Sequence, residues 1–306
     1  MNLTNKRVLV TGSRGFLGKY VVKALEARGA NAIDTPRSKD YDLRDRLHIC
    51  LMLKEFKPDI VIHLAARVGG IGANMKTPAT FFYDNAIMGI EMMEQSRVHG
   101  VEKYVQVGTT CSYPKYTPVP FKESDLWSGY PEETNAAYGI AKRALITQAA
   151  AYRYQYGFNA ITVIPTNLYG PGDNFDLETS HIIPAIIRKM VENSSGVIDV
   201  WGTGEATRDF LYVADAAEGI VKATEKYDDE SPVNLGSGEE ISITSIVFKL
   251  RWMTGFLGAF HWDTSKPDGQ PRRVLDISRA QSFGWEPTTS LDEGLKNTVK
   301  WFRDNQ

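Results

Sequence analysis

Arg7-Val8-Leu9-Val10-Thr11-Gly12-Ser13-Arg14-Gly15-Phe16-Leu17-Gly18 is the stretch that decides the fold of this chain. A short β-branched run comes first. Three glycines follow at the spacing GxxGxxG, and a helical pattern (Tyr20, Val21, Ala24, Leu25) then predicts a helix over 19–28, stopped by Gly29. Glycine at a strand-to-helix junction permits a tight turn. It also lets a pyrophosphate approach the helix N-terminus, where unpaired N–H groups and the helix dipole favour an anion. A plain, tightly packed loop would account for the glycines but not for their place between strand and helix.

The same alternation runs outward. Strands are expected over 32–34, 59–64, 103–107 and 159–164. Helices are expected over 44–56, closed by Pro58, over 82–99, ended by Gly100, and over 135–156, ended by Gly157. Strands spaced by helices make βαβ units with right-handed crossovers, so the fold class is α/β: a Rossmann-type doubly wound parallel sheet. The second half is less regular. It carries strand-like pieces at 198–201 and 233–235, helix-like pieces at 182–192, 213–225, 243–254 and 291–302, and turn-rich stretches between them. Residues 1–170 read as an NADP-binding domain. Residues 171–306 read as a smaller substrate-binding region, some of whose segments return to the sheet.

Composition removes other classes. The 306 residues are 42% hydrophobic and 24% charged, which is the balance of a folded globular protein. Lys plus Arg is 35 and Asp plus Glu is 37, so no charge excess suggests a nucleic-acid partner. Two cysteines make neither a disulfide framework nor a zinc site. The five histidines, at 48, 63, 99, 181 and 261, form no HExxH, and no GxSxG occurs, so no metal is expected. No window approaches 18 apolar residues and no export signal is visible, so the expected setting is cytoplasmic, away from any membrane.

Three features carry chemistry. First, the end of the second strand should choose the nicotinamide cofactor: an acid there holds a ribose 2′-hydroxyl, an arginine a 2′-phosphate. Asp34 lies 22 residues after Gly12, but Arg14 and Arg37 favour NADP, with Asp42 placed to meet the adenine amino group. Second, Tyr138 and Lys142 stand four apart on one helix face. The ammonium should lower the phenol pKa, and the pair can exchange a proton at a carbonyl or hydroxyl carbon. Third, Gly108-Thr109-Thr110-Cys111-Ser112-Tyr113-Pro114 follows a strand whose carboxyl end faces the ligand crevice. Periodicity does not choose among the hydroxyls of Thr109, Thr110 and Ser112.

With these residues in view, the chain resembles the extended short-chain dehydrogenase/reductase superfamily and, within it, the GDP-L-fucose synthase family. The resemblance spans nearly the whole chain. Besides the glycine loop and YxxxK, it rests on Val68-Gly-Gly-Ile-Gly-Ala-Asn74, the cysteine after the hydroxyl pair, Pro165-Thr-Asn-Leu-Tyr-Gly-Pro171, Asp173-Asn-Phe175, Ser180-His-Ile-Ile-Pro184, Trp201-Gly-Thr-Gly204 and Lys266-Pro-Asp-Gly-Gln-Pro-Arg272. It implies two reactions in one pocket: epimerisation at C3 and C5 of GDP-4-keto-6-deoxy-D-mannose, then NADPH-dependent reduction at C4 to GDP-L-fucose.

Protons α to a ketone are acidic, and epimerisation needs a group that takes one and a group on the opposite face that supplies one. The resemblance implies that Cys111 is the base and His181 the acid, that Tyr138 protonates O4, and that Lys142 supports Tyr138 and the cofactor. Thr109 takes the place of the family's catalytic serine, a departure that leaves room for a related sugar such as a 6-deoxyheptose. The cofactor contacts implied are Gly12, Ser13, Arg14, Gly15, Phe16, Leu17 and Gly18 of the loop, then Arg37 and Asp42. Beyond them come Leu64, Ala65, Ala66, Lys142, Pro165, Asn167, Leu168 and His181. Asn167, Lys189, Trp201, Arg208, Asp268 and Arg273 would hold the GDP-sugar, the basic groups pairing with the diphosphate and Trp201 offering a flat face. A homodimer through the helices over 82–99 and 135–156 is also implied. A reductase acting on another GDP-sugar, and a non-catalytic nucleotide-binding regulator on the same fold, are the alternatives.

Overall fold

The computed structural model describes residues 1–30 and 32–306. The first half is built as β1 (Arg7–Thr11), α1 (Phe16–Ala27), β2 (Ala32–Asp34), α2 (Arg46–Phe56), β3 (Ile60–His63), α3 (Ile71–Lys76), α4 (Pro78–Val98), β4 (Lys103–Val107), α5 (Ala136–Tyr156) and β5 (Asn159–Pro165). Helix starts differ from the sequence expectation for local reasons. The glycine loop closes on itself, with the Gly15 amide donating to the Gly12 carbonyl at 3.0 Å, so α1 begins at once. Asp45 accepts from the Leu47 amide and delays α2. Pro78 opens α4 four residues early, because its fixed φ suits the first helical position. The short α3 was not expected.

The second half contributes β6 (Asn167–Tyr169), α6 (Ile182–Glu192), β7 (Val197–Trp201), β8 (Thr207–Arg208), β9 (Phe210–Tyr212), α7 (Val213–Lys226), β10 (Val233–Leu235), β11 (Ile241–Ser242), α8 (Ile243–Thr254), β12 (Ala259–Asp263), α9 (Ser278–Ser282) and α10 (Leu291–Asp304). Six strands form one parallel sheet in the order β10-β5-β4-β3-β1-β2. Order reverses at β1, which pairs with both β2 and β3, and such a reversal opens a crevice at the carboxyl ends of the strands. Helices α1 and α7 cover one face, with Val21, Leu25, Ile220 and Val221 in its core. Helices α2, α4 and α5 cover the other, with Met52, Leu53, Met92 and Ala149. A separate core of α6, α8 and α10, including Ile187, Leu250 and Phe302, forms a second, smaller lobe, the one the sequence reading expected to bind substrate.

Two glycines set distances that matter later. A Cβ at Gly18 would stand 2.2 Å from the Gly12 carbonyl oxygen and 2.6 Å from Ser13 Cα, both backbone atoms that cannot move aside. Gly18→Ala should therefore cost about 1–3 kcal/mol through overpacking. The expected outcome is a lowered thermal midpoint together with a loss of NADPH affinity, measured by calorimetric titration. A Cβ at Gly139 would stand 2.1 Å from the Cys111 carbonyl oxygen, so α5 lies directly against the segment after β4.

Candidate active site

The carboxyl end of β4 turns sharply. The Gly108 amide donates to the Val163 carbonyl at 2.7 Å, and a single 3₁₀ turn, Thr110–Ser112, follows. Thr109 caps that turn, its hydroxyl accepting from the Cys111 amide at 3.2 Å. The same hydroxyl is close enough to the Tyr138 phenol to lower its pKa slightly. Ser112 Oγ donates to the Gly139 carbonyl at 3.1 Å. Missing Cβ, capping hydroxyl and serine bond together seat the Cys111 thiol beside the Tyr138 phenol. Of the three hydroxyls left open by the sequence, only Thr109 meets the tyrosine. Ser112 bonds to α5 backbone, and Thr110 receives Arg273.

The lysine does something other than expected. Lys142 is 3% exposed and its ammonium donates to the Val107 carbonyl at 2.9 Å. Burial pushes its pKa down to about 8. Tyr138 is raised above its ordinary value, by burial first and then by the neighbouring thiol, with only the Thr109 bond pulling it down. The sequence reading expected Lys142 to lower Tyr138; here burial dominates, raises the phenol and favours its neutral form. Beneath the pair, His63 is buried against Thr11 Oγ1 at 2.8 Å and pushed down to about 3 by burial and by Lys142, so it is uncharged.

The opposite wall comes from the second half. His181 caps α6 and opens onto the crevice; crowding by the walls, then Arg273, lowers its pKa. Arg273 is buried and donates to Thr110 Oγ1 at 3.2 Å and to Asn167 Oδ1 at 3.3 Å. Asn167 in turn donates to the Asp209 carbonyl at 2.8 Å. Arg208 is half-buried, its guanidinium bonded to the Thr207, Asp268 and Gln270 carbonyls and pushed down to about 9 by burial and by Arg273. Neither guanidinium is paired with a carboxylate among the described residues, so this wall presents uncompensated positive charge.

Three expected substrate residues stand farther out. Lys189 donates to the Asp199 carbonyl at 2.7 Å. Asp268 accepts from the Thr203 amide and hydroxyl at 2.8 and 2.9 Å, shaping the turn after β7 rather than offering its carboxylate. Trp201 is 46% exposed, with the Lys266 ammonium 5.4 Å from its ring centre and its edge close to Gly72. That ring lies open to solvent and does not fill the core.

The cofactor end fits a dinucleotide. Gly12 has φ +71°, and a Cβ there would stand 2.8 Å from the Ala65 amide, so glycine is required where loop and β3 meet. Ser13 Oγ is buried with no protein partner, at the mouth of α1 where a phosphate would sit. Leu64, Ala65 and Ala66 follow β3, and Pro165 and Leu168 lie at the ends of β5 and in β6, all along the same edge of the sheet. Asp34, at the end of β2, has its Oδ2 buried with no protein partner among the described residues. Burial raises its pKa, and its charged neighbours are Arg7 and Glu55, at the start of β1 and the end of α2. Arg14 and Phe16 flank Gly15, and Arg37 pairs with Asp40 at 2.6 Å on an open surface. Asp42 is engaged by Arg44 at 2.7 Å, which holds it down at about 2. Gln270 is the residue the sequence reading missed. It bonds to Arg208 and Arg273 and to the carbonyls of Pro114 and Lys115, and its one signal was its place inside the Lys266–Arg272 motif.

Comparison with known proteins agrees with this geometry. The NAD dependent epimerase/dehydratase family matches residues 8–236. The GDP-L-fucose synthase of Sinorhizobium fredii is 43% identical over 306 residues, covering 99% of this chain and 97% of its own. A GDP-6-OMe-4-keto-L-xylo-heptose reductase from C. jejuni superposes with a TM-score of 0.93 at 26% identity, over 100% of this chain and 99% of that one. The Naegleria fowleri GDP-L-fucose synthetase bound to NADP superposes with a TM-score of 0.88 at 31% identity, over 99% and 95%.

Proposed function

The chain belongs to the NAD dependent epimerase/dehydratase family, and from that membership we propose that it epimerises a GDP-4-keto-6-deoxy sugar at C3 and C5 and reduces it at C4. It is an NADP-dependent enzyme of the nucleotide-sugar epimerase/reductase type. The observation that carries the two-reaction reading is the Cys111 thiol seated beside the Tyr138 phenol, with His181 across the crevice. One set serves proton exchange next to a ketone, the other protonation of the ketone oxygen.

Epimerisation begins when Cys111, as thiolate, takes the proton at C3 or C5 and the C–H electron pair passes into the C4 enolate. His181 returns a proton to the opposite face of the same carbon. Its lowered pKa makes its protonated form scarce at rest and strongly acidic once formed. The substrate diphosphate, docking at Arg208 and Arg273, offsets the field of Arg273 and favours the charged imidazole. In the second reaction bound NADPH supplies the hydride at C4. Tyr138 gives its proton to O4, and Lys142 compensates the tyrosinate that remains. A neutral phenol at rest is the form this step requires. The loop at Gly12–Gly18 and Ser13 would hold the pyrophosphate, Arg14 and Arg37 the 2′-phosphate, and Trp201 the guanine.

Two sugars fall within this reading. The 43% identity to a GDP-L-fucose synthase favours the hexose and GDP-L-fucose as product. The superposition on a GDP-6-OMe-4-keto-L-xylo-heptose reductase supports a heptose, and threonine at 109 in place of serine leaves room for one such as a 6-deoxyheptose. Incubation with each GDP-4-keto-6-deoxy sugar in deuterated water, followed by NMR, decides. Deuterium at C3 and C5 with a reduced C4 supports the full reading. Reduction without exchange leaves a reductase only, and binding without turnover leaves a regulator. A cytoplasmic homodimer through α4 and α5 completes the proposal, supported by exposed Tyr83, Ile90, Val98 and Tyr154 on those helices; sedimentation tests it.

The pH dependence of reduction follows from Lys142. Its ammonium is charged below about pH 8 and neutral above it in the free enzyme. The kcat/KM for reduction should therefore fall as pH rises through 8, and Lys142→Met should remove that limb as well as most of the rate.

A further inference from the structure

Gln270 is 2% exposed and uses both ends of its side-chain amide. Nε2 donates to the Pro114 carbonyl at 2.9 Å and to the Lys115 carbonyl at 3.2 Å. Oε1 accepts from Arg273 Nε at 3.0 Å. Its backbone carbonyl accepts from Arg208 at 2.6 Å. One residue of the substrate lobe is thereby bonded to the segment that follows Cys111 and to both guanidiniums that face the diphosphate. Arg273 closes the loop by reaching back to Thr110, the neighbour of Cys111.

We propose that Gln270 is a positioning residue for epimerisation: through the Pro114 and Lys115 carbonyls and Arg273 it fixes the distance between the Cys111 thiol and a sugar held at Arg208 and Arg273. The inference rests on the epimerase/reductase reading above. An amide is the side chain that suits the site, since it must donate to two carbonyls and accept from a guanidinium at once. Reduction is far less exposed to its loss. Tyr138 and Lys142 are carried by α5 and held through Thr109 and the Val107 carbonyl, contacts that do not involve Gln270.

Two variants test this. Gln270→Met keeps length and volume but removes every side-chain bond. Gln270→Glu keeps an acceptor for Arg273 and removes the donors to Pro114 and Lys115. Exchange at C3 and C5 is measured in deuterated water without NADPH. Reduction is then measured separately, by adding NADPH and variant enzyme to a 4-keto sugar already equilibrated by the wild type. A displacement of about 1 Å at a reacting group costs on the order of 10²-fold. Exchange kcat should therefore drop about 10²-fold in each variant that folds, while KM and the reduction rate change less than about threefold. Equal losses in both half-reactions, a change confined to KM, or wild-type exchange in a folded variant overturns the proposal. If the wild type itself fails to exchange C3 and C5, the epimerase reading falls and this inference with it. If the wild type exchanges and the variants do so equally well, only this inference falls.

Discussion

Tyr138→Phe abolishes reduction at C4 while exchange at C3 and C5 continues. The expected loss in kcat, followed as NADPH oxidation, is about 10²- to 10⁴-fold, the usual contribution of a positioned proton donor. Phenylalanine keeps the ring, and with it the edge-to-face contact to Phe81 at 6.3 Å, so the fold should be unharmed. What disappears is the phenol proposed to protonate the carbonyl oxygen. Burial holds that phenol protonated, and the alkoxide left by hydride arrival is far more basic than tyrosinate, so the transfer runs downhill despite the raised pKa. Thr109 is no substitute, because an aliphatic hydroxyl is a far weaker acid than a phenol. A variant that lost exchange and reduction alike would show that Tyr138 serves both steps.

Cys111→Ser should give the mirror image. Exchange at C3 and C5 falls about 10²- to 10⁴-fold, while a ketone already epimerised by the wild type is still reduced. Serine preserves the geometry: the backbone at 111 is fixed by its approach to Gly139 and by the Thr109 cap, neither of which involves the sulfur. The change is chemical. An alcohol does not ionise where a thiol does, so the base is lost while its place is kept. NMR in deuterated water reads the first effect and single-turnover NADPH oxidation the second. Retained exchange in Cys111→Ser would move the base elsewhere in the crevice.

The sheet was legible because its signals are local. A β-branched run, a glycine loop and a helical period stand within 20 residues of each other, and each limits the next. Helices α6 and α8 could be bounded from sequence alone, being strongly patterned and ended by Asn193 and Gly255. Strand β12 was not foreseen. Its five residues, Ala259–Asp263, alternate poorly in hydrophobicity and become a strand only through parallel pairing with β7. The same holds within the site. Tyr138 and Lys142 could be paired from their spacing, but the balance between burial and charge that keeps the phenol neutral depends on what surrounds it. Periodicity could not choose Thr109 over its neighbours, because the choice is made by the single 3₁₀ turn Thr110–Ser112. Gln270 was overlooked for a general reason: apart from Arg273, its partners lie far off in sequence, at 114, 115 and 208, and its place in the Lys266–Arg272 motif does not announce them.

Strand β10 lies at one edge of the sheet, beside β5, although some seventy residues of mostly substrate-lobe chain separate the two. The lobes are therefore stitched together more than once, and neither is a cassette. A fragment ending near residue 170 would leave Val163, Ile164 and Pro165 on a bare strand edge, an invitation to pair with another chain. Descent with a new sugar preference could not proceed by exchanging one contiguous module for another. It would have to work through short, scattered replacements in the connections between β6 and β9 and after β12, each tolerable to a sheet that needs both halves of the chain to be closed.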